Sequence, residues 1–139
     1  MHATHVRDTL DMLNTLDVAL CGIAACELTG ALGAGDNFFT EAQFKYVRSL
    51  GAVGEINLRF IDADGIQINS DLDSLVISVT LDQLRRTPKR VGVAGGRSKR
   101  EALRAALRGG WLTDLITDVD TAEWLVDNAD VSKRKAQAS

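Results

Sequence analysis

Apolar residues recur along this 139-residue chain in two rhythms, one helical and one extended, and the two alternate. Val6, Leu10, Leu13 and Leu16 share one helix face, predicting a helix over 6–16 that covers a sheet. Asp17 to Ile23 is a compact apolar run of the kind that forms a strand buried on both faces. From Ala24 to Asp36 the composition turns to Gly, Ala and small polar residues, which predicts a loop or a loosely helical segment. Thr40 is a candidate N-cap for a helix running to Leu50, with Phe44, Val47 and Leu50 on one face and Gly51 as its stop. The rhythm then shortens. Ile56, Leu58 and Phe60 alternate with Glu55, Asn57 and Arg59; Asp62 to Gly65 is a turn signal; Ile66 and Ile68 resume the alternation, so 54–69 reads as an antiparallel hairpin.

Further on, Ser74 to Val79 predicts another strand, and Leu81 to Arg86 a short helix closed by Pro88, the only proline. The most legible stretch is Arg90 to Gly110. Val91 and Val93 make a strand, Gly95 and Gly96 break it, and Ser98 with Glu101 is spaced as a capping box for the helix that follows. Ala102, Leu103, Ala106 and Leu107 form that helix's apolar face, and Gly109 and Gly110 end it. Leu115 to Thr117 makes a last strand. A final helix has Asp120 and Glu123 spaced as a cap and Ala122, Leu125 and Val126 facing inward. The alternation predicts an α/β domain with a mostly parallel sheet, flanking helices, and an inserted helix plus β-hairpin. Ligands bind such sheets outside the carboxyl ends of the strands, which puts the candidate cleft near Gly22 to Cys26, Gly95 to Lys99 and Thr117 to Thr121.

Composition narrows the chemistry. A net charge of −3 argues against a general nucleic-acid surface, which needs clustered positive charge. No apolar run is long enough to span a bilayer and the start carries charge, so a cytoplasmic location is expected. Cys21 and Cys26 are too few for a disulfide framework or a zinc site, and they read as small apolar groups, with Cys26 the more reactive candidate near a strand end. His2 and His5 are too peripheral for a metal, and no cofactor is expected. A strand feeding a helix through glycines offers N–H groups and a positive helix end to an anion, with Lys99 adding charge. Gly95-Gly96 lacks the dinucleotide and P-loop patterns, so close strand-to-helix packing is the simpler reading. Capping accounts most simply for Asp118 and Asp120, and Trp111 and Trp124 read as core or interface anchors.

Several segments together carry a resemblance: Gly51 to Glu55, the Phe60 to Gly65 turn, Val91 to Gly96 with Lys99, and Ala105 to Gly110 ahead of Leu115 to Ala122. In order and spacing they resemble the C-terminal half of the effector-binding domain of SorC-type (DeoR-like) transcriptional regulators, over about Asp17 to Asn128. The resemblance implies a fold related to glucosamine-phosphate deaminases and ribose-phosphate isomerases. It also implies a phosphorylated-sugar effector, homo-oligomers (dimers or tetramers), and DNA binding through a separate helix-turn-helix absent from this chain. Neither that element nor the Gly- and Thr-rich phosphate loop of the family's first half is visible. On this view residues 1–128 are a partial effector-sensing domain, truncated at its N-terminal half, and 129–139 a flexible polar tail that includes Lys133 to Lys135. A sheet lacking neighbouring strands exposes an edge or an apolar face, which predicts self-association or marginal stability.

Carried over residue by residue, the effector contacts fall on Glu55 and Lys99, with Asn57 a third candidate on the same strand face as Glu55, and with Gly95 and Gly96 beside Lys99. Glu55 would accept hydrogen bonds from sugar hydroxyls and Lys99 would hold a hydroxyl or the phosphate. Ordinary solvated charges at Glu55 and Lys99 are the plain alternative. The expected function is effector sensing in a regulator of sugar catabolism, with no catalytic residue. The alternatives are a sugar-phosphate isomerase or deaminase on the same fold, for which Glu55 would be the base, and a degenerate oligomerisation remnant.

Overall fold

A computed structural model describes residues 4–28 and 39–129. Five strands form one sheet in the order β3-β2-β1-β4-β5. They are β1 (Val18–Ala25), β2 (Ala52–Ile56), β3 (Arg59–Asp62), β4 (Lys89–Val93) and β5 (Asp114–Ile116). β4 and β5 run parallel to β1, whereas β2 pairs antiparallel with β1, and β3 with β2. The sheet is therefore mixed, a parallel half joined at β1 to a hairpin. The helices are α1 (Thr4–Met12), α2 (Glu41–Ser49), α3 (Leu81–Arg86), α4 (Arg100–Arg108) and α5 (Val119–Asp127).

Two apolar clusters hold the elements. Ala102, Leu103, Ala105 and Ala106 of α4 pack with Ile23 and Ile56 of the sheet, and with Leu81 and Leu84 of α3. Small residues on α4 let it approach the sheet closely. An added Cβ on Gly54 would stand 2.3 Å from the Ala102 Cβ, so only glycine fits there. The second cluster joins Phe44 and Val47 of α2 to Phe39, Phe60, Leu72 and Cys26. Phe39 and Phe44 meet edge to face at 5.9 Å between ring centres. Since Phe60 enters one cluster and the adjacent Ile61 the other, the hairpin is buried on both faces.

The parallel half differs. Ala19, Cys21 and Ile23 are buried on the α4 side, but Val18, Leu20 and Gly22 face outward uncovered, so the strand expected to be buried on both faces is buried on one. α1 does not supply the cover. Val6 and Met12 are themselves exposed, and Leu16 beyond the helix is the residue packed at the core's margin.

Six local expectations are corrected. The hairpin turns at Asn57-Leu58, both at positive φ (49° and 67°), instead of at Asp62 to Gly65. The latter is a second turn, in which the Asp62 carboxylate accepts the N–H groups of Asp64 and Ile66. Ser74 to Val79 is no strand. Residues Asp71–Leu75 form a 3₁₀ turn, and Arg59, expected on an exposed face, is buried and pins this loop by donating to the Asp73 backbone and side-chain oxygens at 3.0 Å. Ser98 lies within a 3₁₀ turn (Arg97–Lys99) and caps nothing, while Glu101 pairs with Arg104. Asp118 caps α5 as expected but Asp120 does not, and Leu107 and Val126, expected to face inward, are exposed. The expected tail and most of the expected Ala24 to Asp36 loop lie outside the described residues.

Candidate functional site

The carboxyl ends of β4 and β5 meet at a hydrogen-bonded glycine turn. β4 leaves the sheet at Ala94, whose N–H donates to the Ile116 carbonyl at 3.2 Å. The chain then turns through Gly95 and Gly96 into Lys99 and α4. The anion at this glycine turn is the protein's own. Asp118 accepts the Gly96 N–H at 2.7 Å, the Thr121 N–H at 2.8 Å and the Thr121 hydroxyl at 2.9 Å. These hydrogen bonds hold its carboxyl below the usual carboxylate range. An added Cβ on Gly95 would lie 2.3 Å from the Asp118 carboxylate, so the glycine is what lets α5 dock its cap against the β4 turn.

Glu55 is the penultimate residue of β2, opposite Ala24 of β1 and Phe60 of β3, half-buried on the face away from α4. Burial pushes its carboxyl up to about 7, against the opposing pull of the Leu58 N–H and the Lys99 ammonium. Lys99 is thus within electrostatic reach of Glu55, although 44 positions separate them in sequence. The Glu55 Oε2 accepts the N–H of Leu58, a residue whose side chain disfavours its left-handed backbone, so the carboxylate also braces the hairpin turn. The Cys26 thiol is raised to about 12 by burial and then by the Glu55 charge.

Asn57 is separated from this pair. It lies in the turn and not on the strand, its side chain is near enough to the Cys21 thiol to oppose the upward push of burial there, and its carbonyl accepts the Ser78 hydroxyl at 3.0 Å. Cys21 belongs to the α4 side of the sheet, opposite the Glu55 face. Gly95 and Gly96 adjoin Lys99, but the Gly96 N–H is taken by Asp118.

A cavity of about 500 Å³ lies beside α2, lined among others by Cys26, Glu27, Glu41 and Arg48. Neither Glu55 nor Lys99 lines it, and Arg48 is already committed, donating to the Cys26 carbonyl and to Glu41, each at 2.5 Å. Arg48, Asp118 as the occupant of the glycine turn, and the bracing role of Glu55 were not read from sequence. The Asp-x-x-Thr spacing of Asp118 and Thr121 signals the helix cap, but not its docking on the glycine turn. Among the described residues no group of three His, Cys, Asp or Glu side chains is placed to hold a metal, and no helix is long and apolar enough to cross a membrane.

A mixed sheet with helices on its faces, and polar groups converging outside the carboxyl ends of its parallel strands, defines the class of α/β ligand-binding domains. The chain belongs to the family described as "Putative sugar-binding domain", whose profile matches residues 1–127. It is 37% identical over 123 residues to the transcriptional regulator LsrR of Escherichia coli O139:H28, covering 84% of this chain and 38% of that one. The full-length sorbitol operon regulator SorC of Klebsiella pneumoniae has a similar fold, with a TM-score of 0.80 and 27% identity over 91% of this chain and 40% of that one. The structure described as "Putative Sugar-Binding Domain of Transcriptional Repressor" from Vibrio fischeri gives 0.76 and 30%, over 91% of this chain and 50% of that one. The chain thus spans half or less of each of these proteins, and its fold is that of sugar-binding domains in SorC- and DeoR-type regulators.

Proposed function

We propose that this chain is the effector-sensing part of a SorC-type regulator, and that it binds a phosphorylated sugar at the carboxyl end of its parallel strands. The observation that carries the reading is the convergence of Glu55 and Lys99 on one electrostatic site from separate elements. A carboxyl with a pKa of about 7 both donates to and accepts from sugar hydroxyls near neutral pH. Lys99, opening α4, takes the phosphate or a hydroxyl. Gly95 and Gly96 shape the turn that presents Lys99, with Gly96 at positive φ, whereas Asn57 lies in the hairpin turn apart from the pair.

Binding without turnover is the activity expected, since the relatives and the similar structures are transcriptional regulators, which does not favour an isomerase or deaminase. DNA would be contacted by another part of a full-length regulator, in the cytoplasm, with homo-oligomers transmitting the signal. Calorimetric titration with paired free and phosphorylated sugars tests this. Lys99→Ala and Glu55→Ala are each expected to weaken the phosphorylated ligand about 10-fold or more, as loss of a charge-assisted hydrogen bond implies. Unchanged affinity in both variants would remove them from the site.

A further inference from the structure

Asn57 and Leu58 turn β2 into β3 at φ 49° and 67°. Hairpin loops with positive φ at both central positions favour Asn followed by Gly, so asparagine suits the first position and a bulky leucine is strained at the second. Three attachments hold the turn nonetheless. The Leu58 N–H donates to the Glu55 carboxylate, and the Asn57 carbonyl accepts the Ser78 hydroxyl at 3.0 Å. The Leu58 side chain packs, as Val76 does, on the cluster that contains Phe60 and Leu72. Leu72 belongs to the 3₁₀ turn Asp71–Leu75, and Val76 and Ser78 follow it in the chain. The hairpin turn is thus the joint between Glu55 and the loop 71–79.

A strained backbone braced by an ionisable group has two settings. The ionised carboxylate accepts the Leu58 N–H with the help of its charge, the neutral acid accepts it more weakly, and a leucine at positive φ relaxes when its brace weakens. In the loop, Arg59 holds Asp73 and, at 3.4 Å, the Val76 carbonyl, while the stretch beyond is tied to the hairpin by the Ser78 bond. Ile77, 79% exposed, lines a cavity of about 400 Å³ with Val6 and Leu10 of α1. We propose that the Asn57-Leu58 turn relays the state of the Glu55 carboxylate to the loop 71–79 and, through Ile77, to α1. A ligand hydroxyl that donates to Glu55 keeps it ionised and the turn tight, and by reciprocity a tight turn favours that ligand. Only the identity of the ligand rests on the sugar-binding reading; the relay needs none. The groups facing Glu55 are the Lys99 ammonium from ahead of α4, the Leu58 N–H, and the Cys26 thiol just past β1, with Arg48 and Glu27 acting on that thiol in turn.

The test follows backbone amide shifts of the labelled chain, without ligand, between about pH 5 and pH 8. The amides of Leu58, Ser78 and Val79 are expected to titrate together with a midpoint of about 7, and to lose that midpoint in Glu55→Gln. The same variant separates the titration of His5, which lines the cavity beside Ile77. Ser78→Ala is expected to keep the Leu58 titration and abolish that of Val79. Leu58→Gly, which relieves the backbone at φ 67°, is expected to keep the titration at its own amide and flatten that of Ser78 and Val79. A flat Leu58 amide, loop amides that stay flat while Leu58 titrates, or loop amides that titrate undiminished in Glu55→Gln or Ser78→Ala would each overturn the proposal. Adding a phosphorylated sugar at constant pH is expected to move Val79 together with Leu58, and movement of Leu58 alone would also overturn it. A sugar that moves neither, while pH moves both, would refute the sugar-binding reading and leave the relay standing.

Discussion

In the hairpin, adjacent residues Phe60 and Ile61 point to opposite faces and are 1% and 0% exposed; in the parallel half, adjacent Leu20 and Cys21 are 72% and 1% exposed. Both halves carry apolar residues on both faces. What separates them is that α2 lies over the outer face of the hairpin, through Phe44 and Val47, and no described element lies over the outer face of β1, β4 and β5. Apolar character in a strand therefore reports the environment for which it is built, while exposure reports the cover it has in this chain.

Substitutions that separate the two halves should differ most in effect. Leu103→Ala, beneath the sheet where α4 is sealed, is expected to cost about 3 kcal/mol in urea unfolding, as a fully buried leucine does. A loss below 1 kcal/mol would mean that this side is looser than its burial implies.

Next in size is a pH effect. The Glu55 carboxyl is raised from 4.5 to about 7 in the folded chain, so between those values the folded state holds more proton than the unfolded state. Stability should accordingly fall as pH rises through that window, by up to about 3 kcal/mol, and the full cost persists above pH 7. Glu55→Gln, which keeps an oxygen for the Leu58 N–H, is expected to remove this slope and to stabilise the chain at pH 8. An unaltered slope in urea melts at pH 5 and pH 8 would contradict it.

Asp118→Ala should act more locally. Faster amide exchange is expected at Gly96 and Thr121, whose N–H groups it accepts, with the α4 core protected as before. Leu20→Ser should do least, within about 0.5 kcal/mol, and a larger effect would mean that the bare face is covered by the chain itself.

Much of the fold was legible because local signals and packing agreed. Thr40 caps α2 through a reciprocal pair with Gln43, and the short helix at Leu81 to Arg86 and the strand at Val91 to Val93 form where their patterns put them. The sequence misled where side-chain bonds outweigh rhythm. The alternation through Ile56, Leu58 and Phe60 runs across a two-residue turn that lacks the usual glycine and that the Glu55 carboxylate holds instead. The Ser74 to Val79 segment has strand composition, yet the Arg59 guanidinium fastens its approach to carbonyl and carboxylate oxygens outside any ladder. At the candidate site the resemblance pointed to Glu55 and Lys99, which the fold brings within electrostatic reach. No spacing rule could have shown that Asp118 fills the glycine turn, since the two meet only after α5 has docked.

The central claim, that an effector is read by Glu55 and Lys99, is tested most directly by mapping backbone amide shifts of the labelled chain during titration with a phosphorylated sugar. The Leu58 amide reports on the Glu55 carboxylate it serves, and the Lys99 amide on the turn ahead of α4. The largest shifts are expected at these two amides, reduced in Lys99→Ala. Shifts confined to Arg48 and Glu41, around the cavity beside α2, would contradict the claim and move the site there.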